Sequence, residues 1–321
     1  MTSAHPLVSV IVPTYNHGSF IGKAVQSALQ QTYDHLEVIV IDNYSNDNTS
    51  EVLARINDPR VKVFKLRKNK NQGAIAASRN YGVKQSSGEV LAFLDADDSW
   101  LPQKLAVQLP HLRDNVACVS ADFIPTGDVK YCIKLFSFIT GEEYRDFSYA
   151  DLVLQNPLVT SSIILKRERF EKVGGFDESR EFFAIEDWEL WLRMASELPA
   201  RHLRQPLIYY RVTVNKDRDP RDICANSLIV LKKHCDLGLL TSKQMRPATA
   251  HRYLALGKAC LDVNSYCGLK YYSHSLLFAG TGSARIRAAA GLLLFCVPPS
   301  VRNRLLEHYY DRCGEGRHRG M

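Results

Sequence analysis

The first 95 residues alternate between short apolar runs and segments with helical periodicity, and this alternation limits the chain to few folds. The apolar runs are VSVIVP (8–13), LEVIVIDN (36–43), VKVFKL (61–66) and EVLAFLD (89–95). Continuous runs of β-branched residues are typical of strands that are buried on both faces of a parallel sheet. Because helical segments separate the runs, the sequence predicts a doubly wound α/β domain with a mostly parallel central sheet and right-handed crossovers.

Beyond about residue 100 the pattern is mixed, and beyond about residue 215 it is helical. The segments interpreted there are helices at 100–112 and 186–198, strands at 116–124 and 207–212, and a short strand, a helix and a Gly-Gly turn within 161–178. The stretch 130–160 has no clear pattern. We therefore expect two parts, an α/β domain over residues 1–215 and a helical C-terminal region over 216–321.

The composition is that of a soluble globular protein, with 45% hydrophobic and 23% charged residues among 321. The net charge of +7 is compatible with an anionic ligand, with nucleic acid or with an acidic membrane surface, and it selects none of them. The eight cysteines form no CxxC pair, so the sequence suggests neither a zinc module nor a disulfide scaffold. The N-terminal residues lack the pattern of a secretion signal. We expect a cytoplasmic protein with reduced thiols.

Three carboxylates follow the fourth predicted strand, in the segment FLDADDSW (93–100). They are Asp95, Asp97 and Asp98, and like charges at this spacing raise one another's pKa. Ligands of α/β sheets bind at the carboxyl ends of the strands, and carboxylates are the oxygen ligands that Mg²⁺ or Mn²⁺ uses. Asp-rich turns are also ordinary loop chemistry. A metal site and a solvated turn both remain open at this point.

Other polar residues follow the first two strands or lie on the third helix. Tyr15 could stack on a nucleobase or be a turn tyrosine. Asp42 and Asn43 could hydrogen-bond a base or ribose, or act only as turn formers and caps. Arg79 could face a phosphate or a base, or remain solvated.

The segment EDW (186–188) begins a strongly amphipathic predicted helix. Glu186 and Asp187 suit the positive end of the helix dipole, so capping alone explains them. A carboxylate at this place could equally act as a general base if it faced the edge of the sheet.

Six segments in this order and spacing resemble the family-2 glycosyltransferases, over roughly residues 7 to 212. They are VSVIVPTYN, VIVIDNYSNDNT, ASRNYG, GEVLAFLDADD, GGFDE and EDWELWLR. The resemblance implies the GT-A fold and binding of a nucleoside-diphosphate sugar, often a UDP-sugar, with Mn²⁺ or Mg²⁺. It also implies direct displacement at the anomeric carbon with inversion, without a covalent intermediate.

The resemblance also implies roles for individual residues. Asp187 matches the catalytic base that takes the proton of the acceptor hydroxyl, with Glu186 beside it. On the donor side, Tyr15 would pack on the base with Thr14 beside it, Asn43 would bond the base, and Asp42 next to it is a further donor-binding candidate. Arg79 would lie near the base or a phosphate. Asp97 would contact the ribose, Asp95 would support the turn or the ribose, and Asp98 with Asp97 would form the metal site.

The chain departs from the family pattern at two positions. Asn43 stands where an Asp usually accepts a hydrogen bond from the base, and an amide can donate as well as accept, so the nucleotide stays open. Thr213 stands where a His is expected, which puts one metal or phosphate contact in doubt. These departures keep a non-catalytic sugar-nucleotide-binding protein as an alternative.

Two other enzyme classes fit the first loop poorly. A sugar-phosphate nucleotidyltransferase needs a Gly-rich, basic loop after the first strand, whereas PTYNHGSF (13–20) has one Gly and no Lys or Arg. A nicotinamide dehydrogenase would show GxGxxG after a strand, and none is present.

The segment ARIRAAAGLLLFCVPPSVRNRLL (284–306) combines arginines with a short apolar block. It suits a helix at an anionic membrane surface, and it equally suits a helix packed on the first domain. From the resemblance we expect a glycan or lipid-linked acceptor, in bacterial cell-surface polysaccharide synthesis, with no nucleic-acid partner. The inner face of the cytoplasmic membrane is then the expected place of contact.

Overall fold

The structure is a computed structural model that describes residues 5–66, 75–127, 143–182, 184–213, 220–262, 267–279 and 283–295. The chain divides into two compact units, Met1–Val214 and Asn215–Met321. Residues 296–306 of the segment 284–306, which suits either a membrane-surface helix or a helix packed on the first domain, lie outside the described residues.

Nine strands among the described residues of the first unit form one mixed sheet. Their bounds are β1 Val8–Thr14, β2 Leu36–Asp42, β3 Val61–Lys65, β4 Val90–Phe93, β5 Ser99–Trp100, β6 Val119–Gly127, β7 Tyr144–Phe147, β8 Ile164–Lys166 and β9 Ala200–Val212. Their order is β3-β2-β1-β4-β8-β6-β9-β5, and β7 also pairs with β9. The pairs among β1 to β4 are parallel, and β8 is antiparallel to its neighbours. The predicted α/β fold with a mostly parallel sheet is confirmed.

Helices connect these strands along the chain. The helices of the first unit are α1 Ile21–Leu29, α2 Thr49–Ala54, α3 Ile75–Lys84, α4 Lys104–Gln108, α5 Tyr149–Leu154, α6 Arg167–Lys172 and α7 Glu186–Ala195. In α1 the residues at positions 21, 24, 25 and 28 are buried, which is the spacing of one helical face. Helix α3 lies close to the sheet, because a Cβ atom on Gly82 would stand 2.6 Å from Cγ2 of Ile11.

The central strands β1 and β2 are buried at every position. Burying a Val, Leu or Ile side chain stabilises a fold by about 1.5–3 kcal/mol, so these two strands are the centre of the core. They run in register from Val8 opposite Leu36 to Thr14 opposite Asp42. Their carboxyl ends, together with the turn after β4, therefore lie at one edge of the sheet.

The structure differs from the sequence prediction on the second half of the sheet. Strand β9 begins at Ala200, seven residues before the predicted start, because its polar residues Arg201 and His202 are buried and bonded to Asp146 and Asp122. Because these partners are far away in the sequence, the polar residues at the start of β9 do not show the apolar pattern that predicts a strand. Strand β7, which supplies Asp146, lies in the stretch without a pattern.

The helix predicted over 100–112 is shorter than expected. Trp100 belongs to β5 and pairs with Ile208 of β9. Helix α4 ends at Gln108 and a 3₁₀ turn, Leu109–His111, follows it. Pro110 in that turn has no N–H to continue an α-helix.

The described residues of the second unit are helical, as predicted. The helices are α8 Pro220–Asp236, α9 Ser242–Asp262, α10 Cys267–Phe278 and α11 Ser283–Phe295. Tyr272 of α10 lies between Gly257 and Gly291, and a Cβ atom on Gly291 would stand only 2.2 Å from its ring. Among the residues that the structure describes, no helix has both the length and the apolar character that crossing a membrane requires.

Candidate active site

The predicted nucleotide-side residues meet at the carboxyl edge of the sheet. Thr14 and Asp42 are register partners at the ends of β1 and β2, and the N–H of Asn43 donates to the carbonyl of Thr14 at 2.8 Å. Tyr15, one residue further along, is 54% exposed. Thr14 itself is buried, and its hydroxyl has no hydrogen-bond partner among the described residues.

The loops after β1 and β2 are bonded to each other. The N–H of Asn16 donates to Oγ of Ser45 at 2.9 Å, and Oδ1 of Asn16 accepts from the N–H of Asn46 at 2.8 Å. Asp42 is buried and accepts from the N–H of Ser45 at 2.9 Å. The carboxylate of Asp42 therefore organises the turn, whereas the side chains of Tyr15 and Asn43 are left partly exposed.

The acidic turn after β4 brings three carboxylates together, two of them with raised pKa values. Asp98 is buried, and its carboxylate accepts from the backbone N–H of Arg211 at 2.7 Å and from Oγ of Ser161. Burial, Asp95 and Asp97 raise the pKa of Asp98 well above its ordinary value. Burial and Asp95 also raise the pKa of Asp97, which is partly exposed. A positive charge at this turn would favour the ionised forms.

Arg79 lies inside the protein rather than at the surface of the cleft. Its guanidinium is 2% exposed and donates to Asp95 at 2.7 Å and to Glu186 at 2.8 Å. Burial alone would lower the pKa of Arg79, but the charges of these two carboxylates outweigh it and raise the pKa. The expected direct contact of Arg79 with a phosphate or base is not supported by this placement, because its nitrogens are buried or bonded to protein carboxylates.

Asp187 is at the beginning of α7, where the helix dipole favours negative charge. Its Oδ2 accepts from Oγ1 of Thr160 at 3.0 Å, and its Oδ1 accepts from the N–H of Trp188 at 2.6 Å. Burial and the neighbouring charge of Glu186 nevertheless raise the pKa of Asp187 to about 6. Such a carboxylate is ionised at neutral pH and more basic than an ordinary aspartate, as a general base requires.

A short 3₁₀ segment, Thr160–Ser162, contacts both the acidic turn and Asp187. The hydroxyl of Ser161 accepts from the N–H of Asp95 at 3.0 Å and donates to Asp98, while the adjacent Thr160 donates to Asp187. From the sequence, Ser161 and Ser162 are predicted to begin a strand, whereas Thr160 ends the stretch without a clear pattern. No local pattern marks the 3₁₀ segment, because its partners are 27 to 66 positions away.

Arg211 of β9 also lies at the acidic turn, although no sequence motif indicated it as a site residue. Its backbone bonds Asp98, and its guanidinium lies over the ring of Phe20 with its carbon 4.1 Å from the ring centroid. Its charge lowers the pKa of Asp97, against the larger effects that raise it. Thr213, two residues further on, is exposed.

The acidic turn has the donor atoms for a divalent cation. No group of three or more His, Cys, Asp or Glu among the described residues is arranged to hold a metal. Mg²⁺ and Mn²⁺ are commonly held by one or two carboxylates, with ligand phosphates and water completing the shell. Asp97 is partly exposed, and each oxygen of Asp98 retains a lone pair beyond its one hydrogen bond. The residues present therefore fit a cation that is shared with a bound diphosphate.

Comparison with known sequences finds the family that the sequence motifs resemble, within the first unit of the chain. A sequence model of the family described as Glycosyl transferase family 2 matches residues 9–163. The chain is 31% identical over 209 residues to the UDP-Glc:alpha-D-GlcNAc-diphosphoundecaprenol beta-1,3-glucosyltransferase WfaP of Escherichia coli, and the match covers 64% of this chain and 77% of WfaP.

Comparison with solved structures finds the same fold. The crystal structure of S. aureus TarS 1-349 in complex with UDP-GlcNAc superposes with a TM-score of 0.62 at 16% identity, covering 90% of each chain. The mannosyltransferase PcManGT from Pyrobaculum calidifontis, in complex with GDP-Man and Mn²⁺, gives a TM-score of 0.57 at 20% identity, covering 92% of this chain and 82% of that chain. At these identities the likeness establishes the fold alone.

Proposed function

This chain belongs to glycosyl transferase family 2, and from that premise we propose that it is an inverting enzyme that uses a nucleoside-diphosphate sugar. The donor is a UDP-sugar and the acceptor is a hydroxyl of a glycan or of a lipid-linked saccharide. The observation that carries the proposal is the position of Asp187 at the start of α7, where its carboxylate accepts from Thr160 while the adjacent Ser161 donates to Asp98 of the acidic turn. Helix α7 is also joined to the acidic turn through the ion pairs of Glu186 and Asp95 with Arg79.

The donor would bind along the carboxyl edge of the sheet. The exposed ring of Tyr15 offers a stacking surface for the base, and Asn43 offers an amide for its polar edge. The unpartnered hydroxyl of Thr14 lies beside them. Asp42 would shape this edge through the turn that it bonds, and Asp95 and Asp97 would contact the ribose and the diphosphate.

Arg79 then has a positioning role. Its guanidinium forms ion pairs with both Asp95, at the donor side, and Glu186, at the start of α7. This pairing sets the position of α7, and with it Asp187, relative to the donor. Arg211 is a cation beside the acidic turn, and we assign it, in place of Arg79, a share in neutralising the leaving diphosphate.

The chemistry is a single displacement. Asp187 accepts the proton of the acceptor hydroxyl while that oxygen attacks the anomeric carbon, and the bond to the diphosphate breaks on the opposite face. A Mn²⁺ or Mg²⁺ ion held by Asp97 and Asp98 would supply charge neutralisation for the diphosphate. Thr160 keeps the carboxylate of Asp187 oriented by its hydrogen bond.

Transfer and donor hydrolysis, measured with and without Mn²⁺, test the proposal. Asp187→Asn is expected to lower kcat about a thousandfold while the affinity for UDP is kept, because only the base is removed. Asp34→Asn is the matched control, since Asp34 is exposed before β2, at the opposite end of the strand from the site. Unchanged transfer in Asp187→Asn would remove it from the mechanism. Nucleotide binding without turnover in the wild type would favour the non-catalytic alternative.

We also propose that the second unit contacts the inner face of the cytoplasmic membrane. Along α11 the residues Ile286, Ala289, Ala290 and Leu293 are exposed at the spacing of one helical face. We call this the α11 stripe. Arg285 and Arg287 beside it are exposed cations, which suit an anionic lipid surface. The name of WfaP specifies a diphosphoundecaprenol acceptor, and an acceptor of this kind would be presented at such a surface.

A further inference from the structure

Tyr44 has an unusual backbone conformation for an aromatic residue. It follows Asn43 in the loop after β2, its φ angle is +69°, and the residue is 46% exposed. A positive φ brings the side chain against the backbone and is unfavourable for residues other than Gly, least so for Asn and Asp. A ring that is nearly half exposed recovers little of this cost through burial. Burial of the Tyr44 ring therefore does not offset the conformational cost of the positive φ angle.

Hydrogen bonds hold the backbone on both sides of Tyr44. Before it, the N–H of Asn43 donates to the carbonyl of Thr14 at 2.8 Å. After it, the N–H of Ser45 donates to Oδ1 of Asp42 at 2.9 Å. The positive φ is thus imposed by the turn. Strain that the surrounding structure maintains in this way is characteristic of ligand-binding loops.

The loop carries Tyr44 to the same edge of the sheet as Tyr15. Thr14 and Asp42 are register partners, so the two tyrosines lie one and two residues beyond a paired position. Neighbouring strands are about 4.8 Å apart. Two exposed phenol rings therefore start from adjacent strand ends, and Asn43, whose N–H donates to the carbonyl of Thr14, directly precedes Tyr44. A nucleobase offers flat faces that can stack on aromatic rings and a polar edge that an amide can bond.

We propose that Tyr44 is a second aromatic contact for the nucleobase of the donor, in addition to Tyr15. Stacking on a ring is tolerant of base identity, so Tyr44 contributes affinity for the nucleoside, whereas Asn43 contributes the choice of base. This inference rests on the proposed function, since it needs a nucleotide at this edge of the sheet.

The test is the binding of nucleoside diphosphates to the full chain in the presence of Mn²⁺. UDP, GDP, ADP and dTDP are titrated into the wild type, and the tightest of them is carried forward, together with inorganic pyrophosphate. Tyr44→Gly removes the ring and relieves the positive φ, so its Tm should be unchanged or higher. Its affinity for the nucleoside diphosphate should fall about tenfold. Tyr44→Phe keeps the ring and should bind within twofold of the wild type.

Pyrophosphate separates contact with the base from damage to the loop. Its affinity should be the same in the wild type and in Tyr44→Gly, because it has no base. Equal nucleotide affinity in both proteins, or an equal loss for nucleotide and pyrophosphate, would overturn the role of Tyr44 and leave the proposed function standing. A wild type that binds none of the four nucleotides would overturn both.

Discussion

At the scale of single residues, the site depends on a buried arginine that contacts two carboxylates from different parts of the chain. Arg79 pairs with Asp95 and with Glu186, and both the arginine and Glu186 are buried. Removing one member of a buried ion pair leaves an uncompensated charge, which is more costly than the pair was favourable. Arg79 therefore matters for stability as well as for the position of Asp187.

Arg79→Met should lower the free energy of unfolding by about 3 kcal/mol in urea titrations. The double variant Arg79→Met/Glu186→Gln should recover part of this loss, because the buried carboxylate is removed together with its partner. Arg60→Met is the matched control, since Arg60 pairs with Asp58 near the surface, and such pairs contribute about 0–1 kcal/mol. Similar losses for Arg79→Met and Arg60→Met would contradict this account.

The raised pKa of Asp187 leads to a prediction about the pH dependence of transfer. Burial and Glu186 raise this pKa to about 6, and only the ionised carboxylate can accept a proton. We expect kcat/KM to be flat above pH 7 and to fall about tenfold per unit below pH 6. The affinity for UDP, measured over the same pH range, serves as the control. The assignment fails if the acid limb is absent or if UDP binding accounts for it.

At the scale of elements, Glu37 joins β2 to the segments on both sides of it. It accepts from Oγ of Ser9 at 2.8 Å, from the N–H of Ser87 at 2.6 Å and from Nζ of Lys62 at 2.9 Å. Burial alone would raise the pKa of Glu37, but these hydrogen bonds outweigh it and lower the pKa to about 2. The ionised form is thus favoured in the folded protein.

Glu37→Gln should destabilise the protein by about 2 kcal/mol at pH 7. The carboxylate contributes fully above the ordinary pKa of 4.5, and its contribution is lost as the pH falls toward 2. The difference between wild type and variant should therefore shrink between pH 5 and pH 3 in urea titrations. Glu51→Gln, at an exposed position of α2, should have little effect at either pH. A difference that does not change with pH would refute the linkage.

At the scale of the whole molecule, the two units have separate tasks in our proposal. The first carries the sheet and the active site, and the second carries the α11 stripe. The exposed stripe is backed by Ala288 and Gly291, which are buried on the opposite side of α11. Substitutions in the stripe should therefore affect binding to a surface without disturbing the packing of the helix.

Vesicle sedimentation tests the stripe directly. The double variant Ile286→Glu/Leu293→Glu should bind vesicles that contain phosphatidylglycerol about tenfold more weakly than the wild type. Leu237→Glu, at another exposed position in the second unit, is the control. Wild-type binding should weaken as salt is raised, because the arginines act through screened charge. Equal binding of wild type and double variant, or equal binding to neutral vesicles, would argue against membrane contact.

The sequence alone determined the α/β fold, the succession of the first strands along the chain and the positions of polar residues at their carboxyl ends. These follow from apolar periodicity and from turn residues, which are properties of a few consecutive positions. The same local signals placed Asp95 to Asp98 at a strand end and Asp187 at a helix start. The resemblance to a family added the chemistry, and the comparisons support it at the level of the family.

Only the tertiary structure decided which of these residues contact one another. Arg79 and Glu186 are 107 positions apart, and no local pattern indicates that their side chains form an internal ion pair. The structure likewise shows that Ser161, Thr160 and Arg211 contact the carboxylates of the site, which no local pattern indicates. The positive φ angle of Tyr44 is likewise a feature that only the structure shows. The physical reason is that contacts across the sheet depend on how the strands are ordered, and no short window of sequence contains that order.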